Sequence, residues 1–376
     1  MNDKNETKKK RKKTPLLFDP LKLRDLEIRN RIWLPPMDTY SVLNRDGVPT
    51  SWHYQHYVSR ANGGFGMVIA EATAVTWDGR ISPNDTGLWD DNQIGAWQWI
   101  VGGIRDAGAV AAVQLNHAGR KGSTGSFNVG FEGASVPAEA GGWQTVAPSA
   151  NAFGELAEPA ELSVDEIHGI VDAFAAAADR ARRAGFQAVE IHAAHGYLIS
   201  QFLDPLVNER TDEYGGDLAG RSRFLFEVVD AVRGVWPAEL PLLVRVSATD
   251  WAHGGWDLDQ TIDVARQLKE HGVDLIDVST GGIVPYVTIP AKPGYQVPFA
   301  SEVRRHAEIP TTAVGLITKP KQAEKILRNG EADAIEIGRA ALRDPYWPLR
   351  AAAKLGVPIA DTPYPEQYVR GAYPED

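Results

Sequence analysis

Two histidines and a tyrosine stand close together at positions 192, 195 and 197 of the sequence. Two imidazoles at this spacing can hold a metal ion, have a structural role, or donate hydrogen bonds together to one substrate oxygen. Metal binding is the weakest of these alternatives, because no obvious third ligand accompanies His192 and His195. The phenolic O–H of Tyr197 is a reasonable acid toward a carbanion-like carbon. The three residues therefore predict hydrogen-bond and proton-transfer chemistry on an oxygen-bearing substrate.

Two segments near the C-terminus have residues suited to a phosphate group. Gly315 follows one apolar run, and Gly338 and Arg339 follow the next. Glycines let backbone N–H groups approach an anion, and an arginine adds a bidentate donor. The alternative is that the glycines only form tight turns. Because both segments match and one of them contains an arginine, we predict a phosphate site.

Arg245 lies at the end of the apolar run that begins with Leu242. A guanidinium at the end of a buried strand needs an anionic partner. An internal carboxylate is the ordinary partner, and an anionic cofactor is the alternative that would give Arg245 a function.

Eight alternations of strand and helix position these residues. Short, largely β-branched runs predict strands at 31–34, 65–74, 110–115, 188–192, 242–246, 275–279, 311–314 and 334–337. The helices are predicted at 52–61, 93–107, 163–185, 222–235, 258–271, 302–307, 320–329 and 345–355. This order favours a single α/β domain, a closed parallel (β/α)8 TIM barrel. An open doubly wound sheet would predict a Gly-x-Gly-x-x-Gly turn after an early strand, and none is found.

Catalytic residues of such a barrel lie at the C-terminal ends of its strands. The histidine pair and the phosphate-type glycines stand at or just after the ends of predicted strands, and Arg245 lies near the end of another, so all are expected on one face. Two long loops, at 119–161 after strand three and at 281–298 after strand six, are expected on the same face as lids or substrate walls.

Composition and charge exclude several classes of protein. The chain of 376 residues has no cysteine, which excludes disulfides, thiolate metal sites and iron–sulfur clusters. Residues 1–13 carry a local charge of +5 within a total of −10, so the remaining chain is acidic and ill suited to nucleic acid. No apolar run is long enough for a membrane span. Residues 1–15 are predicted to be a disordered basic tail and 16–376 the barrel, in a cytoplasmic protein.

Several ordered motifs resemble the old yellow enzyme family. They are Asn30-Arg31, the run from Gln114 to Arg120, the run from His192 to Leu198, the segment from Gln201 to Asp212, Tyr214-Gly215-Gly216, and Arg221-Ser222-Arg223. The resemblance extends over nearly the whole chain from Leu17 onward. It implies an FMN-dependent oxidoreductase on a TIM barrel, with NADPH or NADH as the reductant.

The resemblance also implies a role for individual residues. Pro36, Met37, Asp38, Ala72 and Gln114 would contact the isoalloxazine ring of FMN, and Arg245 would lie beside its N1–C2 edge. Gly315, Gly338 and Arg339 would hold the FMN phosphate, in agreement with the argument from the barrel. The substrate would be bound by His192 and His195 with a further contact from Tyr40, and Tyr197 would supply the proton.

One feature relates the chain to the thermophilic-like subgroup of that family, and a second feature departs from it. The C-terminal run from Tyr364 to Gly371 resembles the tail of the subgroup, in which an arginine reaches a neighbouring subunit. Arg370 is accordingly expected to complete a shared substrate site in a homodimer or higher oligomer. The subgroup normally has cysteine at the position of Asp38, and this difference puts the usual redox tuning and the substrate range in question.

The expected activity is reduction of the activated C=C bond of an α,β-unsaturated carbonyl or nitro compound. A small-molecule alkene is then the partner, with no metal, nucleic acid or membrane. Three alternatives remain open, namely a flavin-dependent oxidase or dehydrogenase, a nitroreductase, and an FMN-binding module without catalysis.

Overall fold

The eight predicted apolar runs form eight parallel strands that close into one barrel, in a computed structural model that describes residues 14–374. The strands, numbered along the chain, are β1 Ile32–Leu34, β2 Met67–Ala74, β3 Val110–Asn116, β4 Ala188–Ala193, β5 Leu242–Ser247, β6 Leu275–Ser279, β7 Thr311–Ala313 and β8 Ala334–Glu336. Each strand pairs with the next, and β8 pairs with β1. Every residue of these strands is buried, because both faces of the sheet are covered.

Within residues 14–374, eight main helices surround the strands. They are α1 Ser51–Asn62, α2 Ile94–Asp106, α3 Val164–Ala184, α4 Leu218–Val235, α5 Leu258–Glu270, α6 Val297–Ala307, α7 Pro320–Arg328 and α8 Trp347–Leu355. The predicted ends of α3 are confirmed, since Ser163 and Glu166 form a capping box and Gly185 ends the helix at φ +90°. The (β/α)8 fold is thus confirmed element by element.

Two helices begin earlier than the sequence predicted. The predicted start of α4 at residue 222 is wrong, because the side chain of Asp217 accepts the N–H of Gly220 at 3.0 Å and caps the helix one turn earlier. The predicted start of α6 at residue 302 is also wrong. Pro298 lies in the first turn of that helix, where its missing N–H is tolerated. The long loop after β6 therefore ends at Gln296.

Short elements that the sequence did not predict lie at the two ends of the barrel. The hairpin Leu21–Leu23 with Leu26–Ile28 packs Leu23 and Ile28 against the first residues of the strands. At the opposite end, short helices follow β4 at Leu198–Leu203 and β8 at Arg339–Arg343. A parallel pair, Val146–Ala147 with Ala160–Glu161, stiffens the long loop after β3. The hairpin leaves only the C-terminal end of the barrel open to a ligand.

The C-terminal segment lies on the outside of the barrel. Tyr364 and Gln367 share grooves with Tyr54 of α1 and Leu349 of α8. The predicted basic tail, 1–15, falls almost wholly on residues 1–13, which lie outside the described residues. Among the described residues, no helix is long and apolar enough to cross a membrane.

Candidate active site

A cavity of about 390 Å³ opens at the C-terminal end of the barrel. Six of the nine residues predicted to bind the cofactor line it, namely Pro36, Met37, Arg245, Gly315, Gly338 and Arg339. Five of them follow strands β1, β7 and β8, and Arg245 lies within β5. The closed barrel brings these four strands close together. Parallel strand order thus brings together residues that are about 300 positions apart in the chain.

The backbone conformation and the close neighbours at position 315 favour glycine over any residue with a side chain. Its φ of +113° belongs to the left-handed region, and an added Cβ would approach Tyr295 Cε1 to 3.0 Å and Gln296 Nε2 to 3.2 Å. The bare backbone therefore forms part of the cavity wall. Arg339 is exposed beside it, with Arg343 farther along the same short helix. Glycine backbone beside arginine side chains is the arrangement that suits a phosphate.

Arg245 is buried among three carboxylates. Its Nε lies 2.8 Å from Asp277 Oδ2, and its Nη2 lies 3.8 Å from Glu336 Oε2. The third carboxylate is Glu190, which accepts a hydrogen bond of 2.8 Å from Gln114 Nε2. The internal carboxylate that we weighed as the ordinary partner of Arg245 is thus present, while the guanidinium still faces the cavity.

Three carboxylates face one guanidinium in this cluster. The excess of negative charge favours the protonated form of some of the carboxyl groups. Burial, reinforced by the charge of Asp277, raises the pKa of Glu190 to about 8. Burial and Asp277 likewise raise the pKa of Glu336 well above its usual value. Oxygens of Glu190, Asp277 and Glu336 lie within 4.8 Å of one another, a spacing that suits a metal ion, but the cation the structure places among them is Arg245. Protonation of part of this cluster avoids an excess of buried negative charge.

Asp38 and Ala72 meet where β1 and β2 end. Asp38 Oδ1 accepts a hydrogen bond of 3.2 Å from the Ala72 N–H. Burial raises the pKa of Asp38 from 3.8 to about 6, while that hydrogen bond and the charges of Arg245 and Lys121 act in the opposite direction. Asp38 therefore changes charge near the lower end of the physiological pH range.

Tyr40 and Tyr197 both pack against the small apolar cluster that contains Ala72. Burial, and next the charge of Asp38, raises the pKa of Tyr197 well above its usual value. The phenol consequently keeps its proton at neutral pH. Tyr40 has a φ of +49°, which is uncommon for a residue with a side chain and marks local backbone strain.

The two predicted histidines are in direct contact. His192 Nε2 and His195 Nδ1 are 3.3 Å apart, and the rings of His192 and Tyr197 are 5.0 Å apart, edge to face. Burial, followed by neighbouring cationic groups, lowers the pKa of both histidines well below 6.5, so each ring is neutral at pH 7. A neutral imidazole can donate one hydrogen bond and accept another.

Several residues of this region were missed from the sequence. Lys121 Nζ lies 4.9 Å from the centre of the Tyr197 ring and donates to the His195 carbonyl at 2.7 Å. Burial lowers the pKa of this lysine to about 8. Lys121 directly follows the run from Gln114 to Arg120, and this position in the sequence could have marked it as a site residue. Glu190, Asp277 and Glu336 are charged residues inside the otherwise apolar strands β4, β6 and β8. A charge at such a position could likewise have marked them as site residues.

Glu71, which lies within β2, was given no role from the sequence, and it organises the loop after β1. It accepts hydrogen bonds from Thr39 N at 2.8 Å, Thr39 Oγ1 at 2.9 Å and the Tyr57 hydroxyl at 2.9 Å. Burial, and next the charge of Asp38, raises the pKa of Glu71 to about 7. Thr39 lies between Asp38 and Tyr40, so Glu71 anchors the segment that carries both predicted site residues.

The last predicted site residue lies elsewhere. Arg370 is exposed in the turn Glu366–Gly371 and does not line the cavity of its own subunit. The other predicted residues all lie at the C-terminal end of the barrel.

A sequence model of the NADH:flavin oxidoreductase / NADH oxidase family matches residues 16–357. The chain belongs to this family. Enzymes of the NADH:flavin oxidoreductase family bind FMN and take electrons from NADPH or NADH. The cavity wall contains glycine backbone, exposed arginines and the buried Arg245, groups that suit the anionic phosphate and electron-rich ring of such a cofactor.

Known members of the family resemble the chain over most of its length. An NADPH dehydrogenase of Listeria monocytogenes serovar 1/2a is 51% identical over 355 residues, which are 94% of this chain and 98% of the relative. The solved old yellow enzyme homologue from Zymomonas mobilis has a TM-score of 0.76 at 31% identity, covering 90% of this chain and 93% of that one. Morphinone reductase in complex with tetrahydroNAD has a TM-score of 0.75 at 30% identity and covers 92% of each chain. The protein is thus a flavin-dependent oxidoreductase of the old yellow enzyme family.

Proposed function

We propose that the protein reduces the activated C=C bond of α,β-unsaturated carbonyl or nitro compounds at the expense of NADPH or NADH. The observation that carries this proposal is the contact of His192, His195 and Tyr197 at the C-terminal end of the barrel, beside the FMN cavity. Two neutral imidazoles next to a protonated phenol form a site for an oxygen atom and for a carbon that must gain a proton.

In this proposal, nine residues hold FMN. Gly315, Gly338 and Arg339 would bind its phosphate, and Arg245 would lie beside the N1–C2 edge of its ring. The remaining contacts to the ring come from Pro36, Met37, Asp38, Ala72 and Gln114. Bound FMN, after reduction by NADPH or NADH, supplies the hydride for the β-carbon of the substrate from its N5 atom.

The protein side chains act on the other two atoms of the substrate. Hydrogen bonds from His192 and His195 to the carbonyl or nitro oxygen withdraw electron density from the β-carbon and stabilise the charge that develops on oxygen. Tyr197 donates its proton to the α-carbon. A high pKa suits this role, because the phenol is then still protonated when the carbon becomes basic. Tyr40 provides a further contact to the substrate.

The shared site of two subunits is also a proposal. Arg370 is exposed, and its neighbours Gln367 and Gly371 line a groove that includes Leu349 of α8. We propose that it reaches the substrate site of a neighbouring subunit in a homodimer or higher oligomer. Light scattering of the wild-type protein and of Arg370→Ala, together with KM for 2-cyclohexenone, tests this. A monomer with full activity would contradict it.

The cytoplasmic location stays a prediction, to be checked by cell fractionation.

The activity is tested by visible absorption under anaerobic conditions. The protein is expected to show a flavin spectrum that NADPH bleaches and that 2-cyclohexenone then restores. The double variant His192→Ala, His195→Ala is expected to bleach normally and to recover far more slowly, because only the second step uses these groups.

Other outcomes of this experiment identify the alternatives. Recovery with a nitroaromatic compound but with no alkene would favour a nitroreductase, and bleaching by an amine or alcohol in place of NADPH would favour a dehydrogenase or oxidase. A flavin that binds but never recovers with any acceptor would indicate a binding module. A protein that takes up no FMN would overturn the assignment of the cavity.

A further inference from the structure

A line of hydrogen bonds runs from His192 to the wall of the cofactor cavity. His192 Nδ1 accepts the N–H of Ala194 at 3.2 Å, and His192 Nε2 lies 3.3 Å from His195 Nδ1. His195 Nε2 lies 2.7 Å from the hydroxyl of Ser279. That hydroxyl faces Gln296 Oε1 at 3.4 Å, and Ser279 and Gln296 both line the FMN cavity.

The first bond determines the direction of the rest. A backbone N–H can only donate, so His192 Nδ1 has no proton and the neutral ring must have its proton on Nε2. This Nε2–H then donates to His195 Nδ1. The ring of His195 is neutral as well, so its own proton is on Nε2 and points to the Ser279 oxygen. In the substrate-free protein the two histidines thus satisfy each other, and Ser279 accepts the last proton.

This arrangement cannot serve the proposed substrate directly. A carbonyl oxygen between the two rings would accept a hydrogen bond from His192 Nε2–H. It would face a lone pair on His195 Nδ1, which cannot donate. For both rings to donate, His195 must have its proton on Nδ1 and leave Nε2 bare. The number of protons on the His195 ring does not change, because one proton leaves Nε2 and another is added at Nδ1 by exchange with water.

We propose that Ser279 is the positioning residue that permits this exchange of tautomers in His195. Its hydroxyl accepts a hydrogen bond from Nε2–H when the site is empty. When a substrate oxygen binds, the same hydroxyl rotates and donates to the bare Nε2, because a serine hydroxyl can do either. This inference rests on the proposed function for its substrate, but the empty-site tautomer does not depend on it.

The burial of Ser279 supports this assignment. The residue is only 5% exposed, so bulk water cannot take the place of its hydroxyl without a rearrangement. Its position at the end of β6, in register with Ser247 on β5, keeps the hydroxyl beside the ring. Ser247 has a different task in the same neighbourhood, since its Oγ accepts the backbone N–H of His195 at 2.9 Å and does not contact the ring.

The test is NMR of histidine ring nitrogens in the 15N-labelled, FMN-loaded oxidised protein, with and without 2-cyclohexenone. We expect His195 to be the Nε2–H tautomer in the empty protein and the Nδ1–H tautomer in the complex. In Ser279→Ala, the empty protein should show a mixture of tautomers, and KM for 2-cyclohexenone should rise roughly three- to tenfold, the effect of one lost hydrogen bond. Signals are assigned with His192→Asn and His195→Asn.

Ser247→Ala is the matched control. It removes a serine hydroxyl from the same pair of strand ends and should leave the His195 tautomer as in the wild type. The same tautomer in Ser279→Ala as in the wild type would overturn the proposal, whether or not the enone binds. A ring that stays Nε2–H with bound enone would overturn it too. If the protein binds no enone, the proposed function fails, and the tautomers of the empty wild type and of Ser279→Ala still decide the role of Ser279.

Discussion

Asp38 accepts the backbone N–H of Ala72 at 3.2 Å, and this bond ties the loop after β1 to strand β2. An acidic side chain occupies the position at which the family subgroup resembled here normally has cysteine. The match over residues 16–357 shows the family membership, so the fold of the family and its FMN dependence are kept while the residue at this one position differs.

The charge of Asp38 gives the first prediction. The pKa of Asp38 is about 6, raised from 3.8, so the side chain is neutral below this pH and negative above it. A negative carboxylate opposes the negative charge of reduced FMN. The midpoint potential of the bound flavin is therefore expected to fall more steeply as pH rises through 6 than it does in Asp38→Asn. Anaerobic redox titrations from pH 5 to 8 measure this.

A second variant examines the cysteine position itself. Asp38→Cys is expected to change both the potential and the stereochemistry of the product from a prochiral enone, because it alters charge and shape beside the flavin, while turnover continues. Identical pH profiles in the wild type and Asp38→Asn, or an unchanged potential and product in Asp38→Cys, would show that Asp38 tunes neither property.

Arg245 is expected to be essential for stability as well as for FMN binding. Arg245→Met keeps the length of the side chain and removes the positive charge that faces Asp277, Glu336 and Glu190. Removing one partner of a buried ion cluster costs about 3–5 kcal/mol, reduced here to the extent that the carboxylates take up protons. Urea unfolding and the amount of FMN that copurifies are the measurements.

A control for this prediction is an ion pair on the surface. Arg266→Met removes the exposed partner of Asp263 and is expected to change the unfolding free energy by less than about 1 kcal/mol. Equal effects of the two variants would mean that the buried cluster has no special role in stability.

Gly315 is expected to be required for the shape of the phosphate end of the cavity. Gly315→Ala introduces a Cβ that meets Tyr295 at 3.0 Å and Gln296 at 3.2 Å, so the wall must shift. We expect at least a tenfold rise in the Kd of FMN, measured by quenching of flavin fluorescence on binding to the apoprotein.

Gly330→Ala separates this effect from backbone strain. Gly330 has a φ of +70°, also in the left-handed region, and an added Cβ there meets nothing within 4 Å. This variant should lose roughly 1 kcal/mol of stability, a loss comparable to the strain part of Gly315→Ala, and should bind FMN normally. A matching loss of FMN affinity in both variants would refute the shape argument.

Tyr197→Phe is expected to slow only the step that uses alkene. The ring that packs on His192 at 5.0 Å is kept, and the proton donor is lost. Loss of a general acid typically lowers a rate about 10²- to 10⁴-fold. Stopped-flow absorption should show normal bleaching by NADPH and slow recovery with 2-cyclohexenone. Slowing of both steps alike would indicate a structural defect instead.

Much of the fold was readable from the sequence, and the errors have local causes. The strands were predictable because runs buried on both faces must be apolar along their whole length. The start of α4 was placed one turn late, since a single cap by Asp217 decides where that helix begins. The short hairpin at residues 21–28 was missed, because strands of three residues give no usable periodicity.

The composition of the candidate site was only partly readable. The histidine pair, Tyr197 and the phosphate-type glycines could be found, because their types, spacing and position after strands all indicate chemistry. The partners of Arg245 could not be identified. Asp277 and Glu336 stand 32 and 91 positions away in the sequence, and only the closed order of the strands brings them to the guanidinium.

Residue types and local order in the sequence thus establish the class of fold, the family and the groups that can donate protons and hydrogen bonds. The charges of those groups and the directions of their hydrogen bonds are set by the folded protein. The pKa of Asp38, the neutral state of His192 and His195, and the contact of His195 with Ser279 all arise from burial and from neighbours on other strands. Such properties follow from distance in space, which sequence separation does not encode.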